Sequence, residues 1–269
     1  MKPFLKWAGN KYRLSPIIIP LLPQAQRLVE PFAGTAAIFL NTDYPSYLLG
    51  EQNKDLVNLY QILQKEGPNF IDECRQYFKP DTNTPETYYA IREKFNETRD
   101  LRVRSALFLY LNKHGYNGLC RYNSKGLFNV PFGRSTSPHF PEEEILFFFK
   151  KSQQAEFVHA DFRQTLSTLK IGDVVYADPP YVPLSKTAFF SSYTETLFTE
   201  NDHIALAECA NTLSEQGIPV IVSNHDTPWT RNHYSNATIL SLEVQRHISC
   251  KATLRKKAIE LIAVFNSKL

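Results

Sequence analysis

The stretch of sequence that decides the fold is Val174-Val175-Tyr176-Ala177-Asp178-Pro179-Pro180-Tyr181. Its first half is a short apolar run with β-branched and aromatic residues, which predicts a buried strand. Two consecutive prolines then end the strand, because proline has no backbone N–H to donate to a sheet. Open α/β sheets bind their ligands at the carboxyl ends of the strands. The stretch therefore predicts an α/β fold with a ligand site at this strand end.

The tetrapeptide 178–181 offers one carboxylate, one free carbonyl and one aromatic ring. The carboxylate of Asp178 and the carbonyl of Pro179 can accept the two N–H bonds of a planar amine, while Tyr181 stacks on its ring. An ordinary strand-to-loop turn also uses Asp and Pro. Taken alone, the tetrapeptide leaves both interpretations open.

Length and composition favour one large α/β domain, or one domain with an insertion, in a soluble protein of 269 residues. The sequence contains no run of about 18 apolar residues that could span a membrane, and its amino terminus does not resemble a secretory signal. We therefore expect a cytoplasmic protein with no membrane partner. The four cysteines form no Cys-x-x-Cys pair and the seven histidines lack ligand spacing, so no metal site is predicted.

Positive charge is concentrated in one segment of the chain. The formal net charge is only +3, yet residues 99–140 contain seven Lys or Arg and one acid. Tyrosine, asparagine and phenylalanine lie among these basic residues, a composition typical of surfaces that bind nucleic acids. A solvated basic face is the alternative interpretation of the charge cluster alone.

A second ligand-binding pattern lies near the amino terminus, at residues 28–39. It predicts a short strand, a turn centred on Gly34 and the start of a helix, an arrangement that presents free backbone N–H groups to a ligand. The next strand, 47–50, ends in Glu51. An acid at the tip of the second strand of a βαβ unit is placed to accept hydrogen bonds from a ribose diol. The two features together predict a nucleoside-containing cofactor.

The alternation of strands and helices stops at residue 67 and resumes at residue 152. We therefore predict that residues 1–66 and 152–269 form one domain and that residues 67–151 are an insertion. The insertion is predicted to be helical, with a hairpin near its end that turns at Asn123–Gly126. His225 and Asp226, after a later strand, are predicted to be polar residues that close a loop, because no hydrolase motif accompanies them.

Four segments, 4–11, 29–36, 116–134 and 178–181, carry a resemblance that extends over nearly the whole chain. In this order they resemble the Dam family of DNA adenine-N6 methyltransferases, which use S-adenosylmethionine and modify the adenine of GATC. The order of cofactor loop, recognition insertion and tetrapeptide is that of the α group of amino-methyltransferases. The resemblance implies a Rossmann-like methyltransferase fold, with a mixed, mostly parallel sheet and helices on both faces. The helical and β-hairpin insertion would be the DNA-recognition subdomain.

The resemblance also implies the roles of individual residues at the reaction centre. The catalytic group would be Asp178, Pro179, Pro180 and Tyr181. The residues expected at the cofactor are Trp7, Lys11, Phe32, Gly34, Glu51, Phe162 and Asp178. The family normally has Asp at the position of Glu51 and Gly at the positions of Asn10 and Ala36.

On the DNA side, the resemblance implies that Lys6 and Arg121 read guanines of the outer base pairs. Leu119 and Pro131 would meet a thymine methyl group, and Tyr116 would wedge into the base stack beside Asn117. The other residues expected at the DNA are Asn123 and Arg134. The expected partner is double-stranded DNA containing GATC, bound by a monomer at the nucleoid, with the target adenine flipped out of the helix. Methylation of cytosine N4 and a non-catalytic DNA-binding role are the alternatives.

Overall fold

The structure is a computed structural model that describes residues 1–133, 138–182, 198–245 and 257–266. Seven strands in these residues form one sheet in the order β3-β2-β1-β4-β5-β7-β6. The strands are β1 (Arg27–Glu30), β2 (Ser46–Glu51), β3 (Ala155–His159), β4 (Asp173–Ala177), β5 (Val220–His225), β6 (Thr238–Gln245) and β7 (Lys257–Phe265).

The first five strands are parallel, whereas β7 runs antiparallel to both of its neighbours, β5 and β6. This mixed, mostly parallel sheet confirms the predicted Rossmann-like methyltransferase fold. The strand order reverses between β1 and β4, which is the switch point where such sheets open a crevice for a ligand. The tetrapeptide 178–181 follows β4 directly and therefore lies at this crevice.

Helices cover both faces of the sheet. The α-helices of the described residues are α1 (Ser15–Ile18), α2 (Lys54–Glu66), α3 (Pro68–Arg75), α4 (Pro85–Glu97), α5 (Leu101–His114), α6 (Glu142–Ser152), α7 (Phe162–Leu166), α8 (Glu200–Glu215) and α9 (Pro228–His233). The side chains of Asn53, Thr84 and Asp100 accept backbone N–H bonds at the starts of α2, α4 and α5, which satisfies donors that a helix leaves free. No helix in the described part of the chain is long and apolar enough to cross a membrane.

Strand β4 shows how the sheet separates two apolar cores. Its side chains alternate between the faces: Val174 and Tyr176 enter the larger core, whereas Val175 and Ala177 enter the smaller one. The larger core is shared with α2, α5 and α6, and the smaller one with α7 and α8. Because both faces are covered, β4 is fully buried and reads as a continuous apolar run.

Helices α3 to α6 lie between β2 and β3 in the chain, and this part of the chain contains no strand of the described sheet. This part packs on the same core as the sheet: the ring of Phe148 in α6 lies 5.2 Å from that of Phe4 and 4.7 Å from that of Tyr60 in α2. The predicted hairpin has a turn at 123–126, closed by the bonds Gly126 N to Asn123 O and Asn123 N to Leu127 O. Its arms pair only at isolated bridges, Tyr122 with Phe128 and Gly115 with Phe132.

The prediction of a helix directly after Gly34 is wrong. Only a 3-10 turn, Phe39–Asn41, forms in this connection. Ala36 has a φ of 55°, and a left-handed residue interrupts a right-handed helix. The apolar run Leu14–Leu22 is only partly α-helical, because α1 ends at Ile18 and a 3-10 turn with Pro20 follows.

Candidate active site

Asp178 and Lys11 meet at the switch-point crevice although they are far apart in the sequence. Asp178 follows the last residue of β4, and Lys11 begins a 3-10 turn near the amino terminus. The Nζ atom of Lys11 lies 2.8 Å from Oδ1 of Asp178, and the two side chains are 7% and 20% exposed. Lys11 Nζ also donates to the carbonyl of Gly9 at 2.9 Å. The first segment of the chain is thus fixed against the tetrapeptide.

The environment of Asp178 sets its charge. Burial raises the pKa of its carboxyl above the ordinary value, and the positive charge of Lys11 opposes part of that shift. Within the described residues, Oδ1 is buried and accepts no hydrogen bond of standard geometry, even though the Lys11 ammonium is within ion-pair distance. Lys11 therefore favours the carboxylate form, which keeps acceptor capacity for an amine donor.

Tyr181 is oriented by three neighbours. Its hydroxyl donates to Glu260 Oε2 at 2.9 Å, from β7. Lys11 Nζ lies 4.6 Å from the ring centroid, and the His225 ring meets the tyrosine ring edge-on at 4.8 Å. The hydroxyl, the ring and the neighbouring cation of Tyr181 are thus each fixed by a defined contact.

Two residues at the end of β5 form hydrogen bonds with Val182, the residue that follows the tetrapeptide. Asn224 Oδ1 accepts from the N–H of Val182 at 3.1 Å, and His225 Nδ1 lies 2.6 Å from the carbonyl oxygen of Val182. The carbonyl can only accept, so Nδ1 carries the proton. Asn224 Nδ2 donates in turn to the hydroxyl of Tyr234 at 3.1 Å.

The sequence reasoning missed this support by Asn224 and His225. It interpreted His225 only as a residue that closes a loop, although the structure gives it a partner beside the tetrapeptide. A usable signal was present, since consecutive polar residues end an apolar strand. Which strand lies next to β4 could not be inferred from that pattern.

Glu51, Gly34 and Trp7 come together on the other side of the crevice. Glu51 accepts the N–H of Gly34 at 3.0 Å and that of Asn53 at 2.9 Å. The predicted free N–H of Gly34 is therefore bonded within the protein. Tyr60 donates to the Gly34 carbonyl at 2.7 Å, and the Trp7 indole lies 3.7 Å from where a Cβ on Gly34 would be. With a φ of 47°, this position favours glycine.

Phe32 and Phe162 also lie in this region, with stacked rings 5.4 Å apart. Phe162, the first residue of α7, is buried, whereas Phe32 is half-buried. Phe162 thus supports Phe32, and Phe32 has the more accessible surface for a ligand.

Glu30 is a further carboxyl that the sequence reasoning did not single out. It ends β1, beside β4, and is only 3% exposed. Burial raises its pKa to about 8; the N–H of Phe39, which donates to Oε1 at 2.7 Å, opposes the shift, and the charge of Asp178 adds to it. Glu30 is therefore protonated in the folded protein at neutral pH.

We expect Glu30→Gln to change how stability depends on pH. Because the folded-state pKa of Glu30 lies above the unfolded value, its contribution is fully present at low pH and is lost as pH rises toward about 8. As pH rises over this range, the free energy of unfolding of the variant should increase relative to that of the parent by up to about 1.4 kcal/mol per pH unit. Urea unfolding at several pH values measures this, with Glu143→Gln on the exposed side of α6 as the control. Parallel pH curves for Glu30→Gln and the parent would contradict the assignment.

Lys6 packs against the segment that follows α5, where the resemblance places contacts with DNA. The Nζ atom of Lys6 donates to the carbonyl of Lys113 at 2.9 Å. A Cβ on Gly118 would lie 2.2 Å from Lys6 Cβ, so the two backbones approach closely. Tyr116 is 46% exposed, and Asn117 adopts a φ of 53°. Tyr116 therefore presents an accessible aromatic ring near Lys6.

The other expected DNA residues follow along the hairpin. Arg121 and Pro131 are exposed and Leu119 is half-buried. The side chain of Asn123 accepts from the N–H groups of Lys125 and Leu127 and so stabilises the turn. Arg134 lies outside the described residues.

A family model described as D12 class N6 adenine-specific DNA methyltransferase matches residues 7–248. The chain belongs to this family. It is therefore an enzyme that methylates adenine in DNA, and the family description decides against the cytosine N4 alternative. Within the described residues, no group of three or more His, Cys, Asp or Glu side chains is arranged to hold a metal ion.

Full-length relatives agree with the family assignment. The methyltransferase is 47% identical to a DNA adenine methylase of Vibrio cholerae, over 99% of this chain and 96% of the relative. It is 47% identical to a DNA adenine methylase of Escherichia coli, over 97% and 94% of the two chains. A DNA adenine methylase of Serratia marcescens is 46% identical, over 97% of both.

Proposed function

We propose that this DNA adenine methyltransferase uses S-adenosylmethionine as its methyl donor and acts on the adenine of GATC in duplex DNA. The observation that carries the proposal is the position of Asp178 at the switch-point crevice, where Lys11 and Tyr181 converge on it. The exposed Tyr116 and Arg121 belong to the recognition side, whose backbone approaches Lys6. The first eleven residues thus connect the two regions, because Lys11 pairs with Asp178 and Lys6 lies against Gly118.

The residues of the crevice fit the cofactor. Each carboxylate oxygen of Glu51 accepts one hydrogen bond from a backbone N–H group. Both oxygens therefore keep a lone pair that can accept a hydrogen bond from a ribose diol. The residues proposed to surround the cofactor are Trp7, Lys11, Phe32, Gly34, Glu51, Phe162 and Asp178. When bound, S-adenosylmethionine supplies a methyl group on a sulfonium sulfur. The Glu51 side chain retains the carboxylate that the usual Asp would present.

The tetrapeptide prepares the target amine. Adenine N6 is a weak nucleophile, because its lone pair is delocalised into the ring. Asp178 and the carbonyl of Pro179 accept the two N6–H bonds, which favours a pyramidal nitrogen whose lone pair is directed toward the donor. Pro180 restricts the backbone at this point, and Tyr181 stacks on the base. Catalysis then comes from positioning and from fixed charges.

The target base must leave the helix to reach this crevice, as in other enzymes that modify bases. Tyr116 is the proposed wedge in the base stack, beside Asn117, and its exposed ring is available for that role. Lys6 and Arg121 are the proposed guanine readers, because Lys and Arg donate to the O6 and N7 acceptors. Leu119 and Pro131 offer apolar contacts to a thymine methyl, and Asn123 and Arg134 complete the proposed DNA surface.

The test uses duplex DNA and S-adenosylmethionine with a labelled methyl group. We expect label on adenine N6 in duplexes that contain GATC and far less in duplexes where one base pair of the site is changed. Sequencing of modified adenines in treated genomic DNA then gives the recognised sequence directly. Methylated adenine at a different sequence would overturn the proposed site while leaving the family's reaction intact.

We expect Arg121→Ala to relax sequence preference at one base pair. Loss of a bidentate contact to guanine costs about 1–3 kcal/mol of discrimination. The measurement is kcat/KM on GATC and on duplexes with single substitutions. Lys125→Ala, at an exposed lysine in the turn of the same hairpin, is the matched control. If Arg121→Ala slows methylation equally on all duplexes, then Arg121 contacts a phosphate.

A further inference from the structure

The segment 119–122 places alternate side chains on opposite sides of the chain. Cys120 is 2% exposed and Tyr122 is half-buried, whereas Arg121 between them is exposed. Side chains two residues apart share a side in extended backbone. The side chains of Cys120 and Tyr122 therefore point toward the protein interior, whereas the side chain of Arg121 points toward the solvent.

Both inward side chains bond to the start of α2. The hydroxyl of Tyr122 donates to Asp55 Oδ2 at 2.6 Å, and Asn53 Nδ2 donates to Cys120 Sγ at 3.3 Å. Asp55 is itself fixed by Arg104, whose Nη2 donates to the same Oδ2 at 2.9 Å. The segment thus has two anchors on one helical turn.

That same turn follows Glu51 closely, because α2 begins at Lys54 and β2 ends at Glu51. Asn53 caps α2 by accepting the N–H of Leu56 at 3.1 Å, and its own N–H donates to Glu51 at 2.9 Å. Asn53 therefore contacts the end of the cofactor strand and the recognition segment at once. A shift of the first turn of α2 would move both.

The guanidinium of Arg121 is held from the other arm of the hairpin. Its Nε donates to Asn129 Oδ1 at 2.7 Å and its Nη2 to the Asn129 carbonyl at 3.3 Å. The N–H of Asn129 donates back to the Arg121 carbonyl at 3.1 Å. The backbone and the guanidinium group of Arg121 are therefore restrained by separate hydrogen bonds. Such restraint suits a guanidinium that must donate to two acceptors of one guanine.

We infer that Cys120 and Tyr122 are positioning residues for the base-reading Arg121, and that the first turn of α2 is the support from which they act. The inference rests on the proposed role of Arg121. Neither residue touches DNA in this scheme. Tyr122 contributes through the direction in which it holds the neighbouring arginine, since a recognition group must be held within about 0.5 Å of its working geometry.

Tyr122→Phe tests this, because it removes one hydroxyl and keeps the ring. We expect discrimination at the base pair identified with Arg121→Ala to fall by about three- to tenfold, the range for one lost hydrogen bond. Cofactor affinity should stay at the parent value. Tyr89→Phe, at an exposed tyrosine of α4, is the matched control and should leave discrimination unchanged.

The double variant Arg121→Ala with Tyr122→Phe separates positioning from general destabilisation. If Tyr122 acts through Arg121, its substitution has no further effect on discrimination once the arginine is gone. Losses that multiply in the double variant, unchanged discrimination in Tyr122→Phe, or a parallel loss of cofactor affinity would each overturn the inference.

The proposed function can fail independently of this result. If the parent enzyme methylates adenine without preference for GATC, or if Arg121→Ala leaves its preference intact, the proposed reading is wrong. If both behave as expected and Tyr122→Phe matches the parent, only the positioning role is wrong.

Discussion

Asp178→Ala is expected to lower kcat by at least about 10²–10³-fold, the effect of removing one pre-organised group at a reacting atom. The substitution removes the carboxylate that we propose accepts an N6–H bond, and Asp178 is the residue that directly follows β4. The proposed DNA surface lies on other segments, so affinity for a GATC duplex should stay within about threefold. The measurement is single-turnover methylation together with duplex binding.

Asp178→Asn guards against a structural explanation. Alanine leaves Lys11, which is 7% exposed, without its ion-pair partner, and an unpaired buried charge destabilises a protein. Asparagine keeps the shape and one acceptor but not the charge, so its kcat should also fall while its thermal stability stays closer to the parent's.

Asp226→Ala is the matched control for the position of the carboxylate. Asp226 also directly follows a strand, β5, but its carboxylate pairs with Arg231 at 2.6 Å and accepts from the hydroxyl of Ser241. Its activity should remain within about threefold of the parent's. Near-normal activity in Asp178→Ala would mean that another group holds N6.

Asp55→Ala is expected to lower the free energy of unfolding by about 3–5 kcal/mol, the usual effect of removing one partner of a buried ion pair. Arg104 Nε and Asp55 Oδ1 are 2.5 Å apart, and their side chains are only 20% and 11% exposed. Without Asp55, the arginine keeps Phe95 as a partner, through its carbonyl at 2.7 Å and its ring at 4.0 Å. Tyr122 would also lose the acceptor of its hydroxyl.

Urea unfolding at neutral pH measures this loss, and Asp72→Ala is its control. Asp72 pairs with Arg75 within α3, where the two side chains are 65% and 41% exposed. An exposed pair contributes about 0–1 kcal/mol. Equal, small losses for Asp55→Ala and Asp72→Ala would show that the Asp55 pair is not the link between α2 and the insertion that the contacts indicate.

Local patterns were sufficient for much of the fold. The apolar run before Asp178 and the helical pattern of residues 67–151 both depend on neighbours in the chain, and the structure has β4 and α3 to α6 at these places. The prediction of a helix after Gly34 was wrong because Ala36 adopts a left-handed conformation, which interrupts a right-handed helix. Alanine carries no sequence signal for that conformation, unlike glycine.

The sequence by itself determined the candidates for the chemistry: a carboxylate, a carbonyl and an aromatic ring at one strand end, an acid at another, and a basic insertion between them. These are properties of residue types and short spacings, which act over a few positions of the chain. Only the tertiary structure decided which of them have partners. It paired Lys11 with Asp178, placed Asn224 and His225 on Val182, and bonded Asn53 and Asp55 to Cys120 and Tyr122. Such contacts join residues from about 40 to 170 positions apart, and they follow from strand order and helix packing, which minimise exposed apolar surface over the whole chain.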